Sequence, residues 1–415
     1  MTESNPGREI LGTVAIVRRC DVVGPCPGAT SATAFSAAES GRYDPGMQTA
    51  ATATRRPGDD ATTPGADPPG GGAWADRAVR LVLVAAQVAT VLLTWKVWGP
   101  RTHPPMLPLL HLPDVHAGWP MLVSLAVALP WPRVGVPLHT VVLAAAIVAD
   151  QSRMQPHVLS LATLLWGTTG WPGGRIVARA GLAALWGYAG IHKATSPAYY
   201  ATSGAWMLRA VWPGGPAWLG PTIAAAVAGT EIFLGLGCFV PRLRRAVALT
   251  AVPFHLATVA VLAFRLGWDL PVWPWNLALA AAGPGLLLRW RGPGLGGSFA
   301  RAGVAARLAA ATLLVLPAGY WLGVVDAFLA HCVYADNRPK AYVCTPFSRT
   351  DLEGECSRWG VVLPPAHRHY APFFRGIGRP GEWLEIEDPR WIARCRGFSK
   401  RTIRWDDVAD PAAAP

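Results

Sequence analysis

Charge is scarce in this chain: 15% of its 415 residues are Asp, Glu, Lys or Arg, while 52% are hydrophobic. A soluble enzyme of this length carries more, so the shortage argues against a water-exposed surface over most of the sequence. A glycine-rich phosphate loop, a paired CxxC, HExxH and Gly-x-Ser-x-Gly are also missing from any supporting context, which leaves the common nucleotide, zinc and serine-hydrolase chemistries without a motif. Acidic residues are outnumbered, 25 against 37 basic ones, for a formal charge of +12. Such a balance usually points to nucleic acid, but here the arginines gather at the ends of apolar stretches, as in loops facing anionic cytoplasmic lipid. The partner implied is a bilayer, not nucleic acid.

What is present is a series of apolar segments. By the criterion of about 17 to 25 mostly apolar residues, with shorter runs admitted as broken or re-entrant helices, about nine candidate spans follow. They lie near 79–98, 118–132, 134–149, 157–171, 176–192, 221–240, 246–264, 272–289 and 304–326. The expected fold is an all-α polytopic transmembrane bundle over 75–326, preceded by a disordered cytoplasmic tail (1–74) and followed by a small extracytoplasmic cap (327–415). The tail is rich in Ala, Gly, Pro, Ser and Thr and holds no sustained periodicity, and Met47 is an alternative start within it. Arg77 and Arg80, Arg133, Arg175 and Arg179, Arg242 to Arg245, and Arg289 to Arg307 fall on one side of a nine-span chain, which the positive-inside rule makes the cytoplasm. Trp95, Trp98, Trp212, Trp218, Trp268 and Trp273 would then line the outer interface. Gly292 to Gly297 read as a linker between spans. Pro120, Pro130, Pro137 and Pro253 are expected to bend the helices they occupy. The cap holds Cys332, Cys344, Cys356 and Cys395, an even number in an oxidising compartment, so one or two disulfides are expected, with three full pairings open.

Ionisable groups inside the spans carry the functional argument, because a charge at bilayer depth costs roughly 2.5 to 3.5 kcal/mol and normally faces a partner or a cavity. Glu231 and His255 stand near the middle of adjacent spans. Ten residues back from Pro241 reaches Glu231, and ten on from Arg245 reaches His255, so a helical hairpin would set them side by side. Such a pair would share a proton, orient a metal ligand, or simply satisfy each other. Lys193 ends another span; desolvation there would lower its pKa and make it a proton acceptor, or its side chain would snorkel to the headgroups. Asp150, Gln151, Arg153 and Gln155 form a dense polar group before Pro156. Either they cap the next helix, or Arg153 and Gln155 fold over a cavity mouth to hold an anionic or carbonyl-bearing ligand. Trp273, Trp275 and Asn276 suit a quinone-like ring, or anchor the interface. No metal site is assigned: a third and fourth ligand would be needed, and nothing in the sequence selects His139, His157 or Asp150 for that role.

The series Asp150-Gln151-Ser152-Arg153-Met154-Gln155-Pro156, Tyr188-Ala189-Gly190-Ile191-His192-Lys193, Glu231, Arg242 to Arg245, His255, Trp273-Pro274-Trp275-Asn276, Asp326 and Val333-Tyr334-Ala335-Asp336-Asn337 resembles a family of uncharacterised bacterial polytopic membrane proteins. It is similar more distantly to the HTTM and vitamin K-dependent gamma-carboxylase group and to DoxX-like proteins, over roughly residues 145–345. The resemblance implies a base at Lys193, aligned with the second lysine of an Ala-Gly-x-Lys-Lys segment that deprotonates reduced vitamin K, and with it a quinone cofactor. His192 stands where the first lysine would be, and the large lumenal region that binds a protein substrate is lacking, so protein glutamate carboxylation is not carried over. Three functions stay open: a membrane enzyme of quinone-linked or carbanion chemistry, a non-catalytic membrane partner in redox or envelope maturation, and a proton-coupled carrier of a small solute, for which no inverted repeat is visible.

Overall fold

The computed structural model of the chain describes residues 71–110, 115–267, 269–289 and 294–409. The expected tail up to residue 70, Trp268, Arg291 and the first residues of the Gly292–Gly297 linker lie outside the described residues. All that is described belongs to one compact unit, Thr63–Pro415.

Each of the nine apolar segments is occupied by helix. In order these are α1 (Gly71–Leu93), extended by the short α2 (Trp95–Trp98); α3 (Gly118–Ala128); α4 (Pro132–Ala149); α5 (Pro156–Leu165); α6 (Pro172–Ala194); the short α7 (Gly204–Val211); α8 (Leu219–Gly237); α9 (Arg244–Ala260); α10 (Val272–Leu288); α11 (Leu295–Arg301); and α12 (Val304–Val315). A π-helical stretch, Val261–Leu266, prolongs α9, and a 3-10 turn, Leu316–Tyr320, prolongs α12. Proline at the first helical position starts α4, α5 and α6, where its missing N–H costs nothing. Gly294 caps α11, so the end of the expected linker is helix.

Three segments are long and apolar enough to cross a membrane: Pro132–Ala149, Leu219–Gly237 and Pro241–Leu266. Gly118–Ala128, Val272–Leu288 and Val304–Tyr320 are apolar but shorter. The helices turn apolar side chains outward, with Phe264 86% and Leu249 74% exposed, while Gln87, His139, Arg179, His255 and Asn276 are buried. Water would reverse that arrangement. α8 packs on α6, α10 on α9 and on α1, and α12 on α6.

The C-terminal cap corrects the all-α expectation. It contains an antiparallel sheet in the order β2-β1-β3-β4, formed by β1 (Lys340–Cys344), β2 (Arg349–Asp351), β3 (Trp383–Glu387) and β4 (Lys400–Arg404). Ala341, Leu384, Ile386 and Ile403 share one face and pack with Tyr370, Phe373 and Phe374 of α14 (His367–Ile377). Tyr342, Glu385 and Thr402 share the other, where Arg349 stacks 3.7 Å over the Tyr342 ring and pairs with Glu385. Three short helices complete it: α13 (Leu352–Arg358), N-capped by Asp351, α15 (Trp391–Cys395) and α16 (Trp405–Ala409). The disulfide expectation also fails here. Cys332, Cys344 and Cys356 are buried free thiols and Cys395 is an exposed one; the fold scatters them over a turn, a strand and two helices, and the cap gains its stability from an apolar core instead.

Polar contacts bind cap to bundle. Arg368 pairs with Asp326 and donates to Gln151, Arg390 donates to the Tyr320 carbonyl (3.1 Å), and Gln155 donates to the Val362 carbonyl (3.1 Å). Burial alone would raise the Asp388 carboxyl, but hydrogen bonds from His367 and Arg390 outweigh it and pull it down to about 2. Burial pushes His331, in the turn after α12 and its 3-10 extension, down to about 4.

Candidate functional site: a buried lysine–glutamate pair

The helix pair α6–α8 is built on small residues. A Cβ added at Gly235 would lie 2.4 Å from the Gly187 nitrogen, and one at Gly190 would lie 2.6 Å from the Ile232 nitrogen. The backbones therefore touch, as small-residue stripes permit between membrane helices. One turn beyond this contact, Lys193 at the end of α6 meets Glu231 of α8. Its Nζ donates to both carboxylate oxygens, at 2.8 Å and 3.0 Å. Lys193 is only 4% exposed, so the snorkelling alternative does not describe it.

The surroundings are aromatic and titratable. His192 Nε2 sits 3.0 Å from the Ala330 carbonyl, its ring stacks on Trp321 (4.5 Å between centroids) and Tyr320 meets it edge-on. Its Nδ1 has no partner among the described residues. Tyr199 lies within electrostatic range of Glu231 and Asp336, and Ser203 donates to Asp336 (2.7 Å). The motif Val333 to Asn337 thus roofs the end of α6 and α8.

His255 is not part of that pair, which corrects the hairpin expectation. Trp186 Nε1 donates to His255 Nε2 (3.0 Å), and His255 Nδ1 donates to Asn276 Oδ1 (2.8 Å), which fixes a neutral tautomer. Asn276 in turn donates to the Val272 carbonyl. Trp186 precedes Lys193 by seven residues, about 10 Å along α6, so the two centres share a helix but not a neighbourhood. Equal distance from a turn fixes height, not azimuth: Glu231 faces α6, and His255 faces α6 and α10. Beside His255, Trp275 Nε1 and His157 Nε2 are buried with no partner among the described residues, their rings 6.4 Å apart. Trp273 packs partly buried against the bundle core.

The polar group before α5 is a joint. Asp150 is fully buried and accepts from the Leu107 and Ser152 nitrogens and the Ser152 hydroxyl, with Arg101 at 2.6 Å and Arg153 at 3.9 Å. Arg153 donates to the carbonyls of Val97, Trp98, Gly99 and Ala146, and so caps the ends of α2 and α4. Its guanidinium is engaged by main chain, and Gln155 ties the same joint to the cap. Trp98, expected in the outer belt, is buried and donates to Thr94.

Sequence reasoning missed a second interior network, in which His139 on α4 joins Gln87 on α1 and Ser124 on α3, each at 2.8 Å. The signal was present as a lone Gln and Ser on apolar faces. Among the described residues no group of three or more His, Cys, Asp or Glu is gathered to hold a metal ion. Compared with protein-family models, curated proteins and solved structures, the chain matches none of them.

Proposed function

We propose that the chain is an integral membrane protein with its N-terminus cytoplasmic and its cap extracytoplasmic, crossing about nine times, and that the Lys193–Glu231 pair is an acid–base centre for a lipid-soluble small molecule. The reaction class is quinone-linked or carbanion chemistry with Lys193 as the base. The observation that carries this is the pair itself: two opposite charges from separate helices, engaged with each other and with little else. The pair sets a proton donor and a proton acceptor in direct contact, the arrangement that acid–base work on a bound molecule requires. His255 and Asn276 then hold the lower part of α6 in place through Trp186. The outward apolar surface and buried polar interior support the membrane reading.

The test is lipid and metabolite profiling of a deletion strain carrying the wild-type gene or Lys193→Ala. Wild type should restore the profile and Lys193→Ala should match the deletion. A Lys193→Ala strain that matches wild type, where the deletion does not, removes the base. The partner reading draws support from Phe347, at the β1–β2 hairpin tip and 98% exposed. Phe347→Ser would then reproduce the deletion while Lys193→Ala would not.

A further inference from the structure

A cleft of about 290 Å³ opens between the outer end of α2, the segment after it and the cap. Its walls include Trp95, Lys96, Arg101, His103, His116 and Trp359, and none of the described lining residues is acidic. The geometry is built rather than incidental. Trp95 lies 4.4 Å from the His116 ring and His103 lies 4.6 Å from Trp359, which joins bundle to cap across the cleft. The Gly118 nitrogen donates to His116 Nδ1, so the neutral ring carries its proton on Nε2 as a directed donor.

Arg101 supplies the decisive observation. Its side chain is 8% exposed and its Nη atoms reach the Val97 carbonyl, Ser152 and Asp150, yet its buried Nε has no partner among the described residues. Asp150 is shared with Arg153 behind it, so the two guanidiniums exceed the one carboxylate. Lys96 takes part in no ion pair among the described residues and adds a further positive charge at the mouth. Exposed Trp119 meets the cleft's Trp95 edge-on at 5.3 Å, and Leu92 and Leu93, three and two residues before Trp95 in the chain, are exposed at the end of α1. Such a rim suits acyl chains. The volume is below that of a drug-sized ligand site and suits a single headgroup.

We propose that this cleft binds a phosphate ester, with Lys96 and Arg101 supplying charge, His116 a hydrogen bond, and Trp95 and Trp359 the walls. The apolar rim makes an anionic phospholipid headgroup the better source than a soluble phosphate. The cleft is separate from Lys193 and does not rest on the function proposed for it.

The test uses the full chain purified in a neutral detergent, with native mass spectrometry and calorimetric titration of dihexanoyl phosphatidylglycerol, dihexanoyl phosphatidylcholine and sodium phosphate. Phosphatidylglycerol should bind saturably and at least tenfold more tightly than phosphatidylcholine. Lys96→Glu, at an exposed position, and Gly99→Leu, which points a side chain at His116 from extended backbone, should each weaken it at least tenfold with the thermal midpoint unchanged. Binding of sodium phosphate with the same sensitivity to Lys96→Glu would support the site and assign it to a soluble ligand. Equal binding of the two lipids, or phosphatidylglycerol binding untouched by both variants, would overturn the proposal.

Discussion

Two buried ion clusters stand in this molecule, and they differ in how completely they are satisfied. Asp150 is ringed by main-chain and side-chain donors and two guanidiniums, all of them holding α2, α4 and the start of α5 together. Among the described residues Glu231 has one hydrogen-bonding partner, Lys193, which takes both of its oxygens. The Asp150 carboxylate is saturated and has no capacity left to exchange a proton. A sparse cluster can exchange its proton or its partner without the fold coming apart, and this is the physical reason for placing chemistry at Lys193 and architecture at Asp150.

Substitutions should separate the two. The largest effect is expected from Asp150→Ala, which strands Arg101 and Arg153 in a buried joint; about 3–5 kcal/mol of stability should be lost, read by chemical or thermal unfolding in detergent. Lys193→Met alone should cost about 3 kcal/mol by leaving Glu231 uncompensated. The double variant Lys193→Met/Glu231→Leu should recover most of that stability but none of the activity. Recovery of both would make the pair a clasp and end the comparison. Gly190→Val, which forces a side chain into the Ile232 backbone, should cost about 1–3 kcal/mol and reduce activity along with it, because it moves Lys193 away from Glu231.

Acid should act on the cap joint before it acts on the cap's own ion pairs. His331 has a folded pKa of about 4, below its unfolded value, so between the two the unfolded chain binds the extra proton. Its contribution to stability is complete above roughly pH 6.5 and fades as pH falls towards about 4. Asp388, held down at about 2, keeps its contribution until the pH drops below its unfolded value near 4. Thermal midpoints of the full chain should therefore decline from pH 7 to 4.5, and His331→Gln should flatten the decline. The smallest effect concerns the thiols: reductant should leave the midpoint unchanged, and a maleimide should label Cys395 in the folded protein while Cys332, Cys344 and Cys356 wait for unfolding.

Helices were easy to read from this sequence because long apolar runs admit little else, and all nine segments are helical. Lys193 and Glu231 were also legible as isolated ionisable groups among apolar neighbours. Their mutual pairing was not, since chain order suggested α8 with α9, whereas Gly187, Gly190 and Gly235 select α6 with α8. That glycine spacing stands in the sequence itself. The sheet escaped for a different reason: β1, β3 and β4 are five residues each, and β3 and β4 carry several charges, so their period-two alternation, as in Leu384-Glu385-Ile386, is too short to stand out. The cysteine count misled because it was weighed without the apolar core that makes covalent staples unnecessary.

The touching backbones of α6 and α8 restrict how this protein can move. Two helices in main-chain contact have no slack between them, so they shift as one rail or not at all. Any alternating opening, of the kind a solute carrier requires, would have to take place elsewhere, and α4, α9 and α10, with internal prolines at Pro137, Pro253 and Pro284, are segments able to flex. Cross-linking α6 to α8 should then leave the protein's work untouched, while a cross-link between α9 and α10 would tell whether that work needs motion.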